Sequence, residues 1–182
     1  MAQPPTIHRM VVALTDVDRG VYETLELRLA RHPSETVRYM LVRVLAYALS
    51  YEEGITFSKG GISTPDEPPV SVRDATGVLT AWIEVGMPSA ERLHKASKAA
   101  RRTSLFTAGD VELLRKDAAR NPVHRAEALE IWRLDPAFIA ALEEHVGRDT
   151  TIDLVRTDGQ LYATVAGRSI ESRLARETLA SP

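Results

Sequence analysis

The chain has 182 residues, 44% of them hydrophobic, no cysteine and a formal net charge of -2. That apolar content is enough for a core in one domain, and the near-balanced charge excludes a global positive field drawing in nucleic acid. The missing cysteine removes disulfides, thiolate metal sites and thiol nucleophiles.

In chain order, residues Thr6 to Thr15 read as a strand, followed by turn chemistry at Asp16-Val17-Asp18-Arg19-Gly20. Tyr22 to Ala30 alternates strictly, with Leu25, Leu27 and Leu29 on one face. The pair predicts a half-buried antiparallel hairpin. His32-Pro33-Ser34-Glu35 opens a helix whose apolar residues Val37, Met40, Leu41, Val44, Leu45, Ala48 and Leu49 follow a 3.6 period. Tyr39, Val42, Ala46 and Tyr47 widen that stripe, so this helix is expected to be the central buried one. Ile55 to Ser58 predicts a short strand and Gly60 to Pro69 a surface loop.

Val78 to Val85 reads as a strand buried on both faces, and Ser89 to about Ala100 as a helix. A strand at Thr103 to Phe106, a helix at Ala108 to Arg120, a strand at Ala128 to Leu134 and a helix at Pro136 to Val146 follow. Thr150 to Arg156 and Gln160 to Val165 predict a hairpin about Asp158-Gly159. Ser169 to Pro182 is polar and reads as a weak terminal helix or frayed tail. The expected architecture is α+β (mixed α/β): a mixed, largely antiparallel sheet core flanked by helices, one domain over residues 1–182 with its core in about 6–166. No run approaches the roughly 18 apolar residues of a membrane span. Met1-Ala2-Gln3-Pro4-Pro5 lacks the basic head and apolar stretch of a signal peptide. The expectation is a cytoplasmic protein, monomer or weak dimer, without a membrane contact.

There is no phosphate-binding Gly-rich loop, no dinucleotide fingerprint, no Gly-x-Ser-x-Gly elbow and no His-Glu-x-x-His helix. No nucleotide cofactor is therefore expected. The five histidines are scattered, which argues against zinc.

Glu84 stands out because a carboxylate inside a doubly buried strand is costly unless paired, protonated or metal-bound. Asp74 lies ten positions earlier, with Gly77 as a turn between them. A hairpin would then bring the two acids together as a set for Mg2+ or Mn2+. Lys95 lies about six residues, or ~9 Å, into the next helix, equivalent to roughly three strand residues. A helix folded back over its strand would carry it near Glu84. Metal would activate water while the lysine stabilises developing charge. Glu35 is a candidate third acid, with a bland alternative as a residue favourable to the helix dipole. For Glu84 the bland alternative is a buried salt bridge to an arginine such as Arg43. Asp66 and Glu67 read as members of a solvated turn. Arg92, Lys95, Lys98, Arg101 and Arg102 form either a solvated helix face or a phosphate-binding rim for nucleic acid. Trp82 and Trp132 read as core, with base stacking as the alternative.

Leu29-Ala30-Arg31-His32-Pro33-Ser34-Glu35-Thr36, the helix residues Leu41 to Tyr47, Asp66-Glu67-Pro68, Asp74, Trp82-Ile83-Glu84-Val85-Gly86-Met87-Pro88, Arg92 and Lys95-Ala96 together resemble the YaeQ family. The similarity runs from about Thr6 to Val165. It implies a variant restriction-endonuclease-like fold, the PD-(D/E)XK nuclease core, and a link to transcription elongation. In that motif Asp74 takes the aspartate role and Glu84 the second acid role, and Glu35 matches the acid that some members carry on the first helix. Arg73 stands where the motif has proline and Gly86 where it has lysine, so Lys95 would supply the amine. The expectation is a metal-dependent nuclease-like protein acting on DNA or RNA phosphodiesters, with Asp74, Glu84 and Lys95 catalytic and Asp74, Glu84 and Glu35 on Mg2+ or Mn2+. Two alternatives stay open: a catalytically inactive binding module linked to transcription or nucleic-acid machinery, and a structural ion-pair network.

Overall fold

The computed structural model describes residues 4–59 and 66–180. The N-terminal residues Met1 to Gln3, the Gly60 to Pro65 part of the expected loop, and Ser181-Pro182 lie outside the described residues.

Strands β1 (Thr6–Asp16) and β2 (Val21–Arg31) form the expected hairpin. Leu25, Leu27 and Leu29 are buried while Glu26 and Arg28 between them are exposed, as their alternation requires. Helix α1 (Val37–Leu49) is capped by Thr36, whose hydroxyl accepts from the Tyr39 N–H at 3.1 Å. Met40 to Ala46 are buried in an unbroken run, which fits a helix enclosed nearly all round. It packs against strands of both sheets. Glu35 therefore precedes the cap instead of lying in the first turn, so the helix-dipole explanation does not describe its setting.

Strand β3 (Ile55–Phe57) pairs with β4 (Val70–Arg73), and β4 with β5 (Leu79–Val85), all antiparallel. Helix α2 (Ala90–Ala99), capped by Ser89, returns the chain to β6 (Arg102–Thr107), which lies parallel to β5. Helix α3 (Val111–Arg120) leads to β7 (Glu130–Arg133), parallel to β6. Helix α4 (Pro136–Glu143) carries its proline at the start, where a missing N–H is harmless. Strands β8 (Asp149–Thr157) and β9 (Gln160–Val165) form a hairpin, with Asp158 and Gly159 both at positive φ, 51° and 71°.

The fold class is as expected, but the strands divide into two mixed, mostly antiparallel sheets instead of one. The first has the order β10-β9-β8-β1-β2 and the second β11-β7-β6-β5-β4-β3. The expected terminal helix or tail is corrected to two strands, β10 (Arg168–Arg173) and β11 (Ala175–Thr178), one at the edge of each sheet. Polar side chains there reflect edge exposure on a paired backbone, while Ser172, Leu174 and Leu179 are buried. Its entry turn, Ala166-Gly167, has both residues at positive φ without the usual Asn or Asp to announce it. One hydrophobic cluster joins α1, α4 and inner faces of both sheets, and a smaller one around Leu93, Leu105, Leu114, Leu129 and Ile131 lies under α2 and α3.

Candidate active site

The five residues Ala81 to Val85 are all buried, because α1 covers one face of β5 and α2 the other. Ala81, Ile83 and Val85 join the large cluster, whereas Trp82 packs with Ala96 and Ala100 of α2. Glu84 shares the face of Trp82 by strand alternation. Its carboxylate is 2% exposed. Oε2 accepts from the Trp82 indole N–H at 2.9 Å and from Arg92 Nε at 2.8 Å, while Oε1 accepts from the Val85 N–H at 3.4 Å. Burial pushes the Glu84 carboxyl above the usual carboxylate range, and the Arg92 charge opposes that rise.

Arg92 ties the strand to the segment before β4. Its Nη2 donates to the Glu67 carbonyl at 3.0 Å, and its guanidinium lies 5.8 Å from the Trp82 ring centroid. One helical turn further on, Lys95 pairs with Asp66. That pair is exposed on both sides. The lysine's hydrogen bond, aided by its charge and that of Arg92, holds the Asp66 carboxyl below its ordinary value.

Glu35 occupies a second buried pair. Arg43 Nη2 lies 2.9 Å from Oε1 and 3.1 Å from Oε2, with both side chains essentially inaccessible. The His32 N–H reaches Oε2 at 3.3 Å, and Arg31 donates to the Glu35 carbonyl at 2.7 Å. Burial raises the Glu35 carboxyl and Arg43 counters it. Tyr39 joins the two pairs electrostatically. Burial, with the charges of Glu84 and Glu35 adding and those of Arg43 and Arg92 opposing, pushes its hydroxyl up to about 12.

Asp74 is placed elsewhere. It sits in the β4–β5 turn, where Oδ1 accepts from the Thr76 hydroxyl, the Thr76 N–H at 2.9 Å and the Val78 N–H at 3.0 Å. These bonds, the Thr76 hydroxyl first, lower its pKa. The hairpin forms, but Arg73 pairs with Leu79 and Val70 with Ile83. Glu84 is thus at the far end of β5 from the turn, about 16 Å away at ~3.3 Å per residue. The residues that the antiparallel register brings toward Glu84 are those entering β4, Asp66 and Glu67. The expectation of Asp74 beside Glu84 is corrected accordingly: it took the connecting turn as the meeting point, whereas a strand's two ends lie apart.

Lys95 faces the correct end of the strand but engages Asp66, and Arg92 contacts Glu84. Arg43 partners Glu35, not Glu84. The expected basic rim also divides: Arg92 and Lys95 stand on this side, while Arg101 and Arg102 line a cavity on the opposite face of the second sheet. Tyr39, placed between the two pairs, carries no signal in its helical spacing beyond that of a core residue.

Gly86 stands where the expected nuclease motif would have lysine. Its φ is +83°, and a Cβ there would lie 3.2 Å from Tyr39 Cε2. A side chain there is strained by the backbone and crowded by the ring. As for a metal, among the described residues no three acidic, histidine or cysteine side chains converge. Glu35 is closed off by Arg43. Glu84 and Asp66 remain as hard oxygen donors, and such ions are often held by one or two carboxylates plus substrate phosphates. The donor chemistry fits at that level.

The model of the YaeQ protein family matches residues 1–174. The YaeQ proteins of Salmonella typhi and Escherichia coli are 31% and 30% identical over 175 and 176 residues, with 96% of each chain covered. The crystal structure of YaeQ protein from Pseudomonas syringae has a TM-score of 0.86 at 32% identity, covering 100% of this chain and 99% of that one. That from Xanthomonas axonopodis pv. citri has a TM-score of 0.85 at 31% identity, covering 98% and 99%. The chain belongs to the YaeQ family.

Proposed function

We propose that this YaeQ-family chain is a metal-dependent nuclease-like phosphodiesterase working at the Glu84 end of β5. The observation that carries the reading is one guanidinium, Arg92, reaching both the buried Glu84 carboxylate and the Glu67 carbonyl, next to the exposed Asp66–Lys95 pair. A buried acid–cation pair lies beside an exposed one there, and a phosphodiester with its counter-ion needs both charges. Glu84 and Asp66 would hold Mg2+ or Mn2+, which when bound lowers the pKa of water and neutralises phosphate charge. Lys95 is free to leave Asp66 at little cost, because an exposed pair is worth little, and would then hold the phosphate. Arg92 positions Glu84 and adds positive charge toward the substrate. Tyr39 keeps its proton at neutral pH and closes the position where a motif lysine would stand.

The measurement is cleavage of single- and double-stranded DNA and RNA with Mg2+ or Mn2+, for wild type and Glu84→Gln. Cleavage abolished by that substitution is expected. No cleavage of any substrate, together with no metal binding by calorimetry, sinks the proposal. The second reading, a nuclease-like core that binds without cutting, is favoured by one observation: Arg92 and Trp82 both occupy Glu84 Oε2. Under it, Glu84→Gln leaves nucleic-acid binding unchanged.

A further inference from the structure

A cavity of about 460 Å3 lies on the face of the second sheet away from Glu84, where Ala81 and Ile83 of β5 contribute to its floor. Its size is in the range of small-molecule sites, ~300–1,000 Å3. Its walls carry Arg19, Arg101, Arg102, Arg125, Arg156 and Arg176. Four of these guanidinia are answered by acids. Arg102 pairs with Glu52 and Arg176 with Glu130. Arg156 reaches Asp18 at 3.1 Å and Asp16 at 3.5 Å, and Arg19 lies 3.6 Å from Asp16. Arg101 and Arg125 form no ion pair among the described residues. Arg125 Nη1 instead donates to the Arg101 carbonyl at 3.4 Å, which keeps the two residues together. The Arg101 charge helps to lower the pKa of Asp74 without an ion pair between them.

Two further features make this a built cavity. The Trp132 ring anchors two of the guanidinia, with Arg156 at 4.9 Å and Arg176 at 5.6 Å from its centroid, so they are held before any ligand arrives. Arg125 holds a left-handed backbone, φ 53° and ψ 42°, which glycine takes freely and an arginine does not.

We propose that this cavity binds a small molecule carrying two or more phosphate groups, with Arg101 and Arg125 as its principal anchors. Each planar guanidinium fork matches one phosphate. Glu52 and Glu130 interrupt the positive wall. A compact anion seated at the Arg101–Arg125 end tolerates that interruption, whereas a nucleic-acid backbone needs a continuous cationic track. The site is independent of the Glu84 chemistry.

Calorimetric titration of the full chain with inorganic pyrophosphate tests it, on wild type, Arg101→Ser/Arg125→Gly and Lys95→Ala. The glycine relieves the strained backbone, and circular dichroism checks that the double variant is folded. Saturable one-site binding is expected in wild type and Lys95→Ala, weakened about tenfold or more per arginine removed. The proposal is overturned if pyrophosphate gives no binding at millimolar concentration or binds the folded double variant unchanged. It is equally overturned if sulfate at matched ionic strength binds as well, or if only an oligonucleotide binds. Loss of pyrophosphate binding in Lys95→Ala would move the ligand to the Glu84 cleft and also overturn it.

Discussion

Arg92 is the residue whose charge favours the ionised form of Glu84 against its burial between β5 and α2. Removing one partner of a buried pair leaves an uncompensated charge and typically costs ~3–5 kcal/mol. Arg92 keeps 24% exposure, so Arg92→Ala is expected near the lower end of that range, about 3 kcal/mol. The pH dependence follows from the direction of the Glu84 shift. A carboxyl raised by folding favours the folded state below its unfolded pKa, and that contribution is lost as pH rises through the folded value. Arg92 opposes the rise, so the Arg92→Ala deficit is largest near neutral pH and shrinks as Glu84 is protonated. Urea denaturation at about pH 7 and about pH 4.5 checks this. A deficit equal at both would mean that Arg92 acts by packing on Trp82 instead. Gly86 supports a second residue-level prediction. Introducing the lysine of the proposed nuclease motif by Gly86→Lys places a side chain at positive φ against Tyr39. It should cost at least ~1–2 kcal/mol, read by denaturation, and should not raise nucleolytic activity.

At the scale of elements, periodicity made most of the fold legible. The Leu25-Leu27-Leu29 alternation announced β2, the 3.6 stripe from Val37 to Leu49 announced α1, and Asp158-Gly159 announced the β8–β9 turn. Strands β4, β10 and β11, which are short or polar, were not legible. Strand β4 is four residues long, three of them buried, so it shows no alternation of its own, although Gly77 marks the turn that joins it to β5. Strand β11 joins β7 across more than forty residues, with the Arg115–Glu177 and Arg176–Glu130 pairs beside it. The site was legible in its acids and cations but not in their pairing, because register decides which end of β5 meets which loop. The tail therefore has a specific energetic role. Leu179 is 4% exposed in the cluster of α2, α3 and β7, and Leu179→Ala is expected to cost about 2–5 kcal/mol as a core truncation. A frayed tail would lose about nothing, so chemical denaturation separates the two.

At the scale of the whole molecule, the second sheet has two ends and two faces with different chemistry. Glu84, Asp66, Arg92 and Lys95 gather at the C-terminal end of β5 on the α2 side. Asp74 closes the opposite end, and the arginine cavity lies behind the sheet. This division makes the proposed metal site separable from the turn. If Mg2+ or Mn2+ binds at the Glu84 end, it raises the melting temperature by mass action, and Asp66→Asn should reduce that increment about tenfold or more in apparent affinity. Asp74→Asn should leave the increment unchanged. It should instead lower the metal-free baseline modestly, because the bonds from Thr76 and Val78 to Oδ1 lose the carboxylate's charge. A thermal-shift titration on wild type and both variants therefore gives opposite patterns for the two ends of one strand. If Asp74→Asn abolished the metal increment while Asp66→Asn kept it, the site would have to lie at the turn, where Glu84 cannot reach. An ion shared with Glu84 gives the other pattern, since Val70 opposite Ile83 brings the chain entering β4, and not the chain leaving it, toward the glutamate.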